Sequence, residues 1–100
     1  MFDKEINYED DIQTVKLTGD LDVYSEEDFK SFIDEKIQTD KDVVFDLNDL
    51  DYLDSTGLGM FMIVYNMQKE NGKSVKVINA KENIKKLFKI TDLTALFDME

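Results

Sequence analysis

Apolar positions fall on one side of a two-residue repeat at the start of the chain. Phe2, Ile6 and Tyr8 share one strand face within Phe2 to Tyr8, and Val15 and Leu17 share another within Ile12 to Thr18. Glu9-Asp10-Asp11 separates the two runs, so the pattern predicts an antiparallel hairpin. Gly19-Asp20-Leu21-Asp22 is then expected to leave the sheet. Ser25-Glu26-Glu27-Asp28 reads as a capping box, followed at helical spacing by Phe29, Phe32, Ile33 and Ile37. Val43-Val44-Phe45-Asp46-Leu47 suits a buried strand. A second helix is predicted from about Thr56 to Asn71-Gly72, a C-terminal stop. Val75 to Ile78 is the next strand. Lys81 to Ile90 predicts a third helix with Ile84, Leu87 and Phe88 inward. Leu93, Leu96 and Phe97 suggest a short final helix over Thr91 to Met99.

The expected order is β-β-α-β-α-β-α-α. It implies an α/β fold: one domain over residues 1–100, with a mixed, mainly parallel sheet, an N-terminal hairpin and helices packed against it. Sites in such sheets lie in loops after the carboxyl ends of strands. Gly19 to Tyr24 and Asn48 to Ser55 are the two expected loops of this kind.

Composition narrows the chemistry. Cysteine and histidine are both absent, which removes a disulfide framework, thiolate metal sites, the commonest general base and any serine–histidine nucleophile. The charged start Met1-Phe2-Asp3-Lys4-Glu5 is unlike a signal peptide, and no apolar run reaches the roughly 18 residues of a membrane span. The expectation is a soluble, cytoplasmic, non-enzymatic domain. Its formal charge of −11 argues against nucleic acid and anionic membranes as partners, and favours fast encounter with a protein surface of opposite charge.

The most informative run is Asp54-Ser55-Thr56-Gly57-Leu58-Gly59, at the handover from an apolar strand to an apolar helix. Ser55 there has three readings: a helix cap, a phosphate contact, or a site at which phosphate is added. Gly57 and Gly59 each cost up to ~1 kcal/mol relative to alanine in a helix, so bare backbone is needed either for close internal packing or for approach from outside. Behind them, Leu58, Phe61, Met62 and Tyr65 are expected to face the sheet. Met60, Ile63, Val64 and Met67 remain for neighbouring helices to cover or for an adaptable contact patch beginning beside Ser55.

Other motifs fail. Gly72-Lys73-Ser74 ends like a P-loop, but Met67 stands where its first glycine belongs. Asp46 to Asp51 lacks the central glycine and closing glutamate of a calcium loop. Asp20-Leu21-Asp22 has no placed lysine to complete an aspartyl-nucleophile site. Lys81, Lys85, Lys86 and Lys89 read as the solvated face of the third helix.

Three segments taken together resemble one family. Gly19-Asp20-Leu21-Asp22-Val23-Tyr24-Ser25, Tyr52-Leu53-Asp54-Ser55-Thr56-Gly57-Leu58-Gly59 and Ile84-Lys85-Lys86-Leu87-Phe88 are similar to the bacterial anti-anti-sigma factors, stand-alone STAS domains, with the general-stress (sigma-B) branch nearest. The resemblance implies that Ser55 is phosphorylated by an anti-sigma factor that is also a serine kinase. The unphosphorylated form would bind that kinase and free the sigma factor, and a metal-dependent serine phosphatase would restore it. Asp22 and Asp54 match family acids beside the serine. Asp20, Tyr24 and Thr56 are expected at the partner surface with them, as are Gly57, Leu58 and Met60. ATP and metal would belong to the partner enzymes, leaving this chain without a cofactor. Two competing readings are a STAS module sensing a small ligand or nucleotide, and an aspartate-phosphorylated receiver. The hairpin and the missing acidic pair argue against the receiver.

Overall fold

The computed structural model describes residues 1–99. Strand β1 (Phe2–Glu9) returns through Asp10-Asp11 into β2 (Ile12–Leu21), pairing antiparallel from Phe2↔Gly19 to Glu9↔Ile12. Helix α1 (Glu26–Lys36) leads to β3 (Asp42–Leu53), helix α2 (Ser55–Glu70) to β4 (Val75–Ile78), and helix α3 (Glu82–Ile90) follows. The sheet order is β1-β2-β3-β4, with β2–β3 and β3–β4 parallel. The expected mixed sheet with an N-terminal hairpin is therefore what forms.

Because β2, β3 and β4 step across the sheet in one direction, right-handed crossovers put α1 and α2 on the same face. The register agrees: Val15 pairs with Phe45, and Phe45 with Val77, and all three are buried. Phe29 of α1, Phe61 of α2 and Phe88 of α3 close over this face. Phe61 packs tilted against Phe45 and stacks on Phe88, at centroid separations of 4.7 and 5.8 Å, within the range of favourable aromatic contacts. The other face carries Thr14, Lys16, Val44 and Asp46, all half-buried, and a 3.2 Å ion pair between Lys16 and Asp49.

Four expectations require correction. The segment from Asn48 is strand, and β3 continues to Leu53. Its register against β2 slips by one residue after Lys16 and again after Gly19. These bulges change the inward spacing from two residues to three, so Leu47, Leu50 and Leu53 all reach the core; a period-two reading stops at Leu47. β2 likewise continues to Leu21 through Gly19, whose φ is +88° and where a β-carbon would stand 2.0 Å from the Met1 carbonyl oxygen.

The capping box at Ser25 does not form: its hydroxyl makes no bond to the α1 N-terminus. It accepts instead from the Asp22 N–H at 2.9 Å and donates to the Asp20 carbonyl at 3.1 Å. The final helix is absent as well. The Leu93 N–H donates to Phe88 O and the Asp92 N–H to Lys89 O, a Schellman stop with Asp92 in the left-handed region at φ 59°. Only turns follow. Their purpose is visible in Phe97, which is fully buried and whose carbonyl accepts from Val77 N–H on the edge of β4.

Candidate functional site

Parallel strands β2 and β3 release their carboxyl ends at the same end of the sheet, with Leu21 and Leu53 as register partners. Each leucine is buried and each is followed by an aspartate, so Asp22 and Asp54 leave adjacent strands side by side. Both carboxylates are spent on the backbone that follows. Asp22 Oδ1 accepts from Tyr24 N–H at 2.9 Å and Ser25 N–H at 3.3 Å. Asp54, in extended conformation, caps α2 by accepting from Gly57 N–H at 3.1 Å. The cap role weighed for Ser55 thus belongs to Asp54, and Ser55 is the first residue of the helix proper, exposed.

The two glycines separate. A β-carbon on Gly57 would stand 2.5 Å from Leu53 Cδ1 and 2.8 Å from the Leu21 carbonyl oxygen. Gly57 is therefore the point at which the helix start is pressed onto both strand ends. A β-carbon on Gly59 would meet nothing within 4 Å, so internal packing does not explain it.

The remaining expected contact residues fall into two groups. Tyr24 is 93% exposed, on the turn that Asp22 and Ser25 hold. Asp20 and Thr56 are half-buried. Gly57, Leu58 and Met60 lie in the core, beneath the surface rather than on it, because α2 turns those positions toward the sheet and its neighbouring helices. The same rotation buries Val64 and Phe61 and leaves Met62, Tyr65 and Met67 half-buried, so Ile63, 49% exposed, is all that stays well exposed of the anticipated Met60, Ile63, Val64 and Met67 patch. Tyr52 and Val23 are also exposed and were not singled out by sequence reasoning; the bulges in β3 that turn Tyr52 outward left no readable period.

Ser55 therefore presents a hydroxyl at a helix N-terminus, where the macrodipole tolerates an anion. The Asp54 carboxylate is already bound in the same first turn, and the site as a whole is acidic. A phosphoryl group there would add about −1.5 to −2 charges without any buried group having to move. Lys81 at the start of α3 pairs with Asp51, and Asn83 Nδ2 donates to the Asp51 carbonyl at 3.0 Å, which ties α3 to the outer bulge of β3. Among the described residues, no group of three or more histidine, cysteine, aspartate or glutamate side chains is arranged to hold a metal ion. No described helix is long and apolar enough to cross a membrane.

Comparison with known proteins agrees with this architecture. The chain is 37% identical over 91 residues to an anti-sigma-B factor antagonist of Bacillus subtilis, covering 91% of this chain and 83% of the relative. Its fold is similar to the anti-sigma factor antagonist SpoIIAA in its unphosphorylated form, with a TM-score of 0.81 at 17% identity over 98% of this chain and 86% of that one. It is also similar to the Bacillus cell fate determinant SpoIIAA in the phosphorylated form, with a TM-score of 0.74 at 18% identity over 98% and 89%. The family model for the STAS domain matches residues 3–100, and this chain belongs to the STAS domain family.

Proposed function

We propose that this protein is an anti-sigma factor antagonist whose binding is switched by phosphorylation of Ser55. In this reading the unphosphorylated form binds an anti-sigma factor that is also an ATP-dependent serine kinase, and so releases a sigma factor. Phosphorylation ends that binding, and a metal-dependent serine phosphatase restores it. The protein itself supplies a surface and an acceptor hydroxyl, not catalysis.

The observation that carries the reading is the contrast between Ser55 and its neighbours. Asp54 is committed to the helix cap and Gly57 to packing, whereas Ser55 is exposed and bound by nothing in the cap. A kinase can reach that hydroxyl without disturbing the fold. A partner seated over it would afterwards have to cover a hydrated dianion beside an acidic end of the sheet; each ~1.4 kcal/mol so lost is tenfold in affinity. The name of the Bacillus subtilis relative, an anti-sigma-B factor antagonist, supports the antagonist part of this reading. The small-ligand alternative finds less support. The hollow of about 330 Å³ at this end of the sheet is lined by Asp20, Asp22 and Asp28, carboxylates that repel the phosphates of a nucleotide.

The test is phosphorylation by the cognate anti-sigma kinase with ATP, followed by mass spectrometry. Phosphate on Ser55, and none on Ser55→Ala, is expected. Full modification of Ser55→Ala would remove the assignment.

A further inference from the structure

One stretch of this strongly acidic chain is free of charge. From Ser55 to Gln68 there is no charged residue, although Asp and Glu number 23 of 100 overall. Most of that stretch is covered by the fold, but Ser55, Gly59, Ile63 and Asn66 recur along one exposed stripe of α2. Interface centres are depleted of charge in this way, while an ordinary solvent face is not.

Two residues on the stripe lack an internal explanation. Gly59 sits in the helix with open space where its β-carbon would be. Glycine disfavours the helix there, and nothing inside the molecule requires it. Bare backbone in such a position permits another chain to come close. Ile63 lies one turn further on, 49% exposed, the lone large apolar side chain among the exposed positions of the stripe. It stands about 12 Å along the axis from Ser55 at 1.5 Å per residue, within the span of a single standard interface.

We propose that Gly59 and Ile63 form the seat for an apolar segment of the anti-sigma factor: its backbone crosses α2 at Gly59 and an apolar side chain packs on Ile63. The proposal rests on the antagonist reading and extends it from a charge switch at Ser55 to an apolar anchor beside that switch. The occupant is the partner rather than a second copy, because two chains of net charge −11 repel at close approach.

The experiment compares wild type with Gly59→Ala, Gly59→Leu and Ile63→Asp by thermal melting and by calorimetric titration with the purified anti-sigma factor of the same organism. Gly59→Ala is expected to melt a few degrees higher than wild type, since alanine favours the helix and meets nothing, yet to bind several-fold more weakly. Gly59→Leu and Ile63→Asp are expected to lose at least tenfold in affinity with the fold retained. Unchanged affinity in all three, with wild type binding normally, overturns the anchor and leaves the antagonist reading standing. Failure of wild type to bind overturns both. Self-association of wild type that Ile63→Asp abolishes assigns the stripe to a second copy and overturns the proposal.

Discussion

Gly57 rests on Leu53 so closely that a β-carbon would come within 2.5 Å of Leu53 Cδ1 and 2.8 Å of the Leu21 carbonyl oxygen. The second neighbour is backbone at the end of a strand and cannot yield as a side-chain tip can. Gly57→Ala is therefore expected to destabilise the protein by about 1–3 kcal/mol, the usual effect of overpacking, despite alanine's better helix propensity. Chemical denaturation checks this. Equal or greater stability than wild type would show that the helix start can lift from the strand ends.

Asp54 joins two roles that substitution can part. As the cap of α2 it accepts from Gly57 N–H, so Asp54→Ala is expected to cost ~1 kcal/mol, and Asp54→Asn much less, because asparagine caps about as well. Phosphorylation of Ser55 measured in both variants then separates geometry from charge. A rate that follows stability, low in alanine and normal in asparagine, assigns Asp54 to positioning; a rate equally low in both assigns its negative charge to recognition.

The layout of this site was readable in part from residue order. Period-two and helical spacing located the hairpin, β3, β4 and three helices, because each buries a regular stripe. The run Asp54 to Gly59 marked the site because its residue types are costly or unusual at a helix start. What escaped was set by tertiary contacts. Asn48, Asp49 and Asp51 are loop-forming types, yet two bulges keep that segment in the sheet. Ser25 has the spacing of a capping residue, but its hydroxyl is taken by Asp22 and Asp20 across the turn. Leu93 and Phe97 have helical spacing, but Asp92 breaks the helix and Phe97 is drawn to the core by the edge of β4. The different reasons for Gly57 and Gly59 could not be told apart until Leu53 and Leu21 were placed beside one of them.

Ser55→Asp is expected to leave the fold intact and weaken binding of the anti-sigma factor. The side chain is exposed at a helix N-terminus, where one more carboxylate is tolerated. Aspartate carries less charge than phosphoserine, so the loss is expected to be partial, about tenfold, and smaller at high salt as exposed charges are screened. Melting and titration at two salt concentrations test both halves. Affinity equal to wild type at low salt would count against an electrostatic switch.

Lys16, on the uncovered sheet face, has its pKa raised by the hydrogen bond from its ammonium to Asp49 and by the charge of that carboxylate. A folded-state pKa above the unfolded value stabilises the fold fully below the unfolded pKa, near 10.4, and ceases to do so as pH rises through the folded value. The denaturation midpoint of wild type relative to Lys16→Met is accordingly expected to be constant from about pH 6 to 9 and to fall above about pH 10.5. A difference that instead changes across the neutral range would place its origin in another group.

At the opposite end of the sheet from Ser55, Gln13 of β2 and Gln68 of α2 are both fully buried. Both side-chain amides donate to the same two carbonyls, those of Gln38 and Lys41 in the connection between α1 and β3. Gln13 Oε1 also accepts from Gln38 N–H at 2.8 Å. The connection therefore has no regular structure of its own, and its polar groups are satisfied through two side chains that reach it from strand and helix. Replacing either glutamine by leucine removes one donor from each carbonyl but leaves the other, so each single change is expected to cost about 1–3 kcal/mol. Gln13→Leu is the costlier, because it also strands the Gln38 N–H, whereas Gln68 Oε1 has no partner to lose. Removing both leaves these partly buried carbonyls without either donor. The double variant is expected to lose more than the sum of the singles, with a coupling of about 0.5–3 kcal/mol in a double-mutant cycle. Strict additivity would show that the two amides act on the connection independently, and that their meeting on shared acceptors adds nothing to stability.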